Sequence, residues 1–166
     1  MTDADAVLVT LWRIELLHPA LVHFPVALTL VGAAFWFCAL AARGRPALAW
    51  LAPAAAALIT LAALSAWAAV ISGGWADAVV GRHLYDPRVV ETHENRATLL
   101  AWLLSVTAAL NLLLRRVSAG ATLRRAGLTA VAALLLVCCG LLAHVGHLGA
   151  SLVYQQGAAV TPPEIH

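Results

Sequence analysis

Lysine is absent from this 166-residue sequence, and charged side chains of any kind are scarce, at 11% of the residues. Because a soluble domain carries about 25% charged residues, this composition argues against an ordinary soluble protein. All ten basic residues are arginine, and a net charge of +2 is too small to indicate binding to nucleic acid. The apolar residues, 63% of the total, are gathered into long runs, which indicates a lipid bilayer as the solvent.

The motifs of common enzymes and metal proteins are also missing. The three cysteines lie inside apolar runs and form neither a CxxC pair nor a CxxCH element. A zinc knuckle, a thioredoxin-like site and c-type haem attachment therefore lack support. The sequence has no Gly-x-Ser-x-Gly elbow, no phosphate-binding loop and no HExxH element. We therefore expect a subunit of a larger complex rather than an enzyme that acts alone.

Four apolar stretches are long enough to cross a bilayer, which takes about 20 residues. They cover approximately residues 21–42, 47–71, 96–114 and 126–143. We predict an all-α fold in which residues 1–166 form a single membrane domain, an integral four-helix bundle. Residues 1–17 repeat apolar side chains at helical spacing but also carry charges, which predicts a short interfacial N-terminal helix.

Glycines mark the predicted ends of two spans. Gly73 and Gly74 open the predicted loop over residues 72–92. Gly146 and Gly149 are expected to turn the chain sharply out of the fourth helix. Residues 146–166 would then form an outer tail, part of which could fold back over the bundle.

Charge predicts the orientation of the bundle. The two short loops that join spans one to two and three to four contain six arginines and no acid: Arg43, Arg45, Arg115, Arg116, Arg124 and Arg125. The opposite side contains all eight acidic residues and four arginines. The positive-inside rule places the arginine loops in the cytoplasm and both termini in the periplasm, in a multi-pass protein of the bacterial inner membrane.

All seven histidines fall on the side opposite the arginine loops. Five of them lie at or near the ends of three different spans: His18, His23, His93, His144 and His147. His83 and His166 are expected to be solvated. An ionisable ring at this depth is a functional-site hypothesis by default, and neutral imidazole is a good metal ligand.

This band of histidines predicts a bis-histidine haem site. Such a site needs two imidazoles from different helices, so His18 or His23 would pair with His93 or a histidine of the fourth helix. Arg82, Arg88 and Arg96 are candidates to bind the haem propionates. The sequence thus predicts one or two b-type haems in an electron-transfer subunit, between the quinone pool and a periplasmic redox partner.

Two alternatives stay open. The same five histidines could hold a copper, iron or zinc ion, with His144 and His147 on one helical face joined by His18 or His23. The chain could also be a cofactor-free membrane anchor or assembly subunit of a respiratory complex. Asp77, beside a Gly-Gly-Trp segment, is a candidate to orient one of the histidines.

Several motifs resemble those of a known family. Residues 18–25 read HPALVHFP, residues 146–160 read GHLGASLVYQQGAAV, and residues 73–77 and 93–96 stand between them. Together they resemble the bacterial four-helix predicted membrane proteins catalogued as domain of unknown function 2231. Some relatives look as if they are joined to, or accompany, cytochrome c or Rieske-type iron–sulfur domains, an association that favours electron transfer. The positions that match the family's histidines are His18, His23, His93 and His147.

Overall fold

A computed structural model describes residues 14–81, 84, 86–118 and 120–160, and these residues form a helical bundle. The helices are α1 (Leu17–Leu21), α2 (His23–Ala41), α3 (Leu51–Val80), α4 (Pro87–Arg116) and α5 (Ala121–Gln156). Four of them, α2 to α5, are long and apolar enough to cross a membrane, which confirms the predicted all-α membrane bundle. The interfacial helix expected over residues 1–17 lies mainly outside the described residues.

The helix ends follow local sequence signals. The carboxylate of Asp86 accepts a hydrogen bond from the backbone N–H of Arg88 at 3.0 Å, and Pro87 occupies the first turn of α4. Gly157 ends α5 in a left-handed conformation with φ of +67°, and the N–H of Ala158 reaches back to the carbonyl of Leu152. These signals define the two histidine-side termini of α4 and α5.

Three helices, α3, α4 and α5, extend beyond their predicted spans; α4 begins at Pro87, inside the loop predicted over residues 72–92. Helix α3 continues through Gly73 and Gly74, and α5 continues through Gly146 and Gly149, so the expected exits at these glycines are wrong. With 36 residues, α5 is about 54 Å long, well beyond a hydrocarbon core of about 30 Å. Glycine costs about 1 kcal/mol in a helix, a penalty too small to break one that is packed against its neighbours.

The core of the bundle is built largely from small side chains. Ala55, Ala62 and Ala101 are fully buried between helices, and Gly32 brings α2 against α3, where an added Cβ would lie 3.2 Å from the Cγ1 of Ile59. Large apolar side chains point outward instead; 63% of Leu64 is exposed. This inside-out distribution fits helices that meet through close backbone approach and face lipid.

The bundle has two chemically different ends. Helices α2, α3, α4 and α5 pack in sequence, each antiparallel to the one before it, while α2 and α5 contact each other less extensively. We call one end the arginine end, since it contains the six arginines in and beside the two short loops. The other is the histidine end, where α1, the start of α2, the start of α4 and the C-terminal half of α5 carry His18, His23, His93, His144 and His147.

Candidate functional site

Two of the five candidate histidines meet at the histidine end. The ring centroids of His18 on α1 and His93 on α4 lie 6.2 Å apart, with the ring planes at 89°. Both side chains are partly buried. The pair joins the two hairpins of the bundle, because His18 also contacts α3 and His93 also contacts α5.

The His18 ring is held by the last part of α3. Its Nδ1 lies 2.9 Å from the carbonyl oxygen of Ala69 and 3.3 Å from the hydroxyl of Ser72. Ser72 is completely buried and donates its own hydrogen bond to Ala69 at 3.0 Å. A Cβ added to Gly73 would lie only 3.2 Å from Cε1 of His18, so the glycine makes room for the imidazole.

The His93 ring is held in the same way by α5. Its Nδ1 lies 3.1 Å from the carbonyl oxygen of Val145. A Cβ added to Gly149 would lie 3.3 Å from Cε1 of His93. In both cases the histidine bonds the carbonyl of one residue and packs on a glycine four positions later, one turn along the neighbouring helix. The two halves of the bundle thus hold their imidazoles by the same local arrangement of a carbonyl and a glycine.

These hydrogen bonds determine the tautomer of each ring. A carbonyl oxygen can only accept, so Nδ1 carries the proton in both His18 and His93. No described protein group bonds either Nε2. In the neutral rings each Nε2 therefore keeps a free lone pair, the form in which histidine binds a metal.

The other three histidines are not part of this pair. His23 is exposed, and its Nδ1 donates to the carbonyl of Pro19 at 2.7 Å. His144 and His147 are exposed on α5. Among the described residues, no three histidine, cysteine or acidic side chains converge as a metal site would require.

None of the described charged candidates forms a hydrogen bond with either ring of the pair. Arg88 and Arg96 are exposed on α4, and Arg82 lies outside the described residues. Asp77 does not orient a histidine as expected. It lines a separate cavity of about 450 Å³ with Glu91 and Glu94, and backbone carbonyls take the orienting role.

Sequence reasoning missed the groups that hold the two rings. Every residue has a backbone carbonyl, so the sequence does not indicate which carbonyls bind the rings. The glycines are equally compatible with helix ends. The one available signal was Ser72, a hydroxyl inside an apolar run, since such a group needs a hydrogen-bond partner when it is buried.

The family model of predicted membrane proteins designated DUF2231 matches residues 15–162 of this chain. The chain belongs to this family. The match includes both members of the histidine pair and both glycines that pack on them, so the site lies wholly inside the DUF2231 region. No curated protein and no solved structure matches the chain significantly.

Proposed function

We propose that this DUF2231 protein is a membrane-bound b-type cytochrome subunit in which His18 and His93 are the axial ligands of one haem. The observation that carries the proposal is a pair of imidazoles from different helices, each with Nδ1 bonded to a carbonyl and Nε2 free. When bound, haem iron would supply one-electron chemistry.

The number of ligands favours haem over a single metal ion. A zinc site takes four ligands, at least three of them usually from the protein. Haem iron needs only two axial ligands, because the porphyrin supplies the other four. Two converging imidazoles without a third side chain among the described residues fit the second case better.

The spacing of the rings supports the same ligand set. Imidazole nitrogens lie about 2.0–2.1 Å from a bound metal. At this distance, two rings that bind one iron from opposite faces of a porphyrin would have their centroids about 6 Å apart. The centroids of His18 and His93 are 6.2 Å apart.

Helical geometry distinguishes between the arginines as propionate partners. Arg96 is three residues from His93 and shares its face of α4, whereas Arg88, five residues away, is rotated from it by about 140°. We therefore assign a propionate to Arg96 rather than to Arg88. A guanidinium suits this role because it can bind a carboxylate at two points.

The cellular setting follows from charge. With the arginine end in the cytoplasm, the histidine end faces the periplasm. The haem would then lie where electrons could pass between the quinone pool and a periplasmic redox protein. His23, His144 and His147 are exposed at the same end and provide surface for that partner rather than ligands.

The test is an absorption spectrum of the detergent-purified protein, first oxidised and then reduced with dithionite. We expect a Soret band and sharp reduced α and β bands. His18→Ala and His93→Ala should each abolish this low-spin spectrum. His144→Ala and His147→Ala are matched controls that should leave it intact, because both histidines are exposed and outside the pair.

Electron paramagnetic resonance makes the test sharper. Near-perpendicular imidazole planes, as in the 89° found here, produce a strongly anisotropic low-spin ferric signal, whereas parallel planes produce a rhombic one. A rhombic signal would show that the two rings do not keep this perpendicular orientation on the iron.

A colourless protein from haem-replete cells that also fails to bind added haem would refute the proposal. Metal analysis of that preparation would then test the ion-site alternative. A stable double variant of His18 and His93 that loses only a protein partner would support the cofactor-free anchor.

A further inference from the structure

The arginine end contains a cavity that has no role in the proposed haem site. Its volume is about 750 Å³, and it opens among α2, α4, α5 and the loop between the last two. Four arginines line it: Arg43, Arg115, Arg116 and Arg124. They come from three separate segments of the chain, so the tertiary fold concentrates their charge around one space.

The described residues supply no negative charge to balance these guanidinium groups. The five acids among them lie at the histidine end, and none is within ion-pair distance of the four arginines: Glu15, Asp77, Asp86, Glu91 and Glu94. Like charges gathered in a partly enclosed space repel one another and strengthen their attraction for an anion. An external anion would therefore bind favourably in this space.

The floor of the cavity is built for hydrogen bonding. Asn111 is buried on α4, and its Oδ1 accepts from the indole Nε1 of Trp36 at 3.1 Å. Both residues line the cavity. The Nδ2 amide of Asn111 has no partner among the described residues, so its two N–H groups are free to donate to a ligand.

The rest of the lining is apolar. Leu40, Leu114 and Leu128 contribute to the wall on the membrane side of the arginines. A ligand that suits this arrangement carries a phosphate at the arginine level and hydrocarbon beside it. Basic pockets between membrane helices on the cytoplasmic side bind anionic lipid head groups in this manner.

We infer that this cavity is a binding site for a phosphate-bearing anion, held by Arg43, Arg115, Arg116 and Arg124, and that its occupant is an anionic phospholipid. The site lies at the end opposite the histidine pair, so it neither requires haem nor provides a haem ligand. The same phosphate chemistry could be supplied by a free anion, and the experiment distinguishes the two sources.

The test is native mass spectrometry of the purified full chain with defined lipids. We expect retention of phosphatidylglycerol or cardiolipin in preference to phosphatidylcholine of the same chain length. The double variant Arg115→Gln and Arg124→Gln should weaken retention by about tenfold to thirtyfold. The matched control is Arg45→Gln with Arg125→Gln, which removes the same charge from the same end outside the cavity lining.

The double variant Arg115→Lys and Arg124→Lys keeps the charge and tests the site should the glutamine variant fold poorly. It should bind the anionic lipid more weakly than the parent chain, because lysine lacks the two-point geometry of a guanidinium. If millimolar inorganic phosphate stabilises the parent chain as well as the lipid does, the site is retained but its occupant is a free anion. Equal loss in the cavity and control glutamine variants, or no preference for anionic lipid, would overturn the inference.

Discussion

Helices α3 and α5 each contain two nearby glycines, and substitutions at these glycines test how His18 and His93 are held without changing a histidine. Gly73 and Gly149 pack on the imidazoles of His18 and His93, where an added Cβ would lie 3.2 and 3.3 Å from the nearest ring carbon. Gly74 and Gly146 lie in the same helices, and nothing comes within 4 Å of a Cβ added to them. Substitution by alanine at the four positions therefore separates the effect of helix propensity on stability from the effect of displacing an imidazole ring.

The expected free energies follow from these contacts. Gly74→Ala and Gly146→Ala should stabilise the protein by about 0.5–1 kcal/mol, the usual gain of alanine over glycine in a helix. At Gly73 and Gly149 the new methyl group displaces a ring by a few tenths of an ångström. That displacement strains a hydrogen bond worth about 0.5–1.5 kcal/mol. The helix-propensity gain is the same for both glycines of a pair, so each packed glycine should be less tolerant than its partner by the cost of the strained bond alone, about 0.5–1.5 kcal/mol.

The assay is reversible unfolding in mixed micelles of the parent chain and the four alanine variants. Haem content is measured on the same samples, because the ring shift should also reduce haem retention in the Gly73 and Gly149 variants. If Gly73→Ala is as stabilising as Gly74→Ala, and Gly149→Ala as stabilising as Gly146→Ala, then Gly73 and Gly149 do not make room for the imidazoles.

Two further predictions concern the core and the orientation. Asn111→Ala should destabilise the protein by about 1–3 kcal/mol in the same unfolding assay, because it leaves the buried indole N–H of Trp36 without its acceptor; an unchanged stability would show that the bond contributes nothing. Alkaline phosphatase fused after Ser118 should be inactive, and the same enzyme fused after Gly157 should be active, since phosphatase folds only in the periplasm. The reverse pattern would invert the orientation derived from charge.

The histidine pair shows why some features of the site could be predicted and others could not. The sequence places His18 and His93 in a band of five histidines, because depth in the membrane follows from position within an apolar run. It could not choose that pair over one with His23, His144 or His147. The choice depends on how each helix is rotated about its axis, which places His144 and His147 on an exposed face.

The glycines at the site also could not be interpreted correctly from the sequence alone. Gly73 and Gly149 looked like helix ends because glycine favours such positions. In the fold they continue the helices, and their missing side chains accommodate rings from neighbouring segments. A short-range sequence pattern cannot distinguish a glycine that ends a helix from one that packs against a distant ring, since the contacting residue is 50 or more positions away in both cases.

The sequence by itself determined the class of this protein: four spans, arginine loops at one end and histidines at the other. Each of these is a property of a contiguous segment, because hydrocarbon thickness sets span length and loop charge distinguishes the two ends. Only the tertiary structure decided which imidazoles meet, which carbonyls hold them and that four arginines surround one cavity. These features depend on the packing of segments distant in sequence, where the rotation and tilt of each helix determine which side chains face one another.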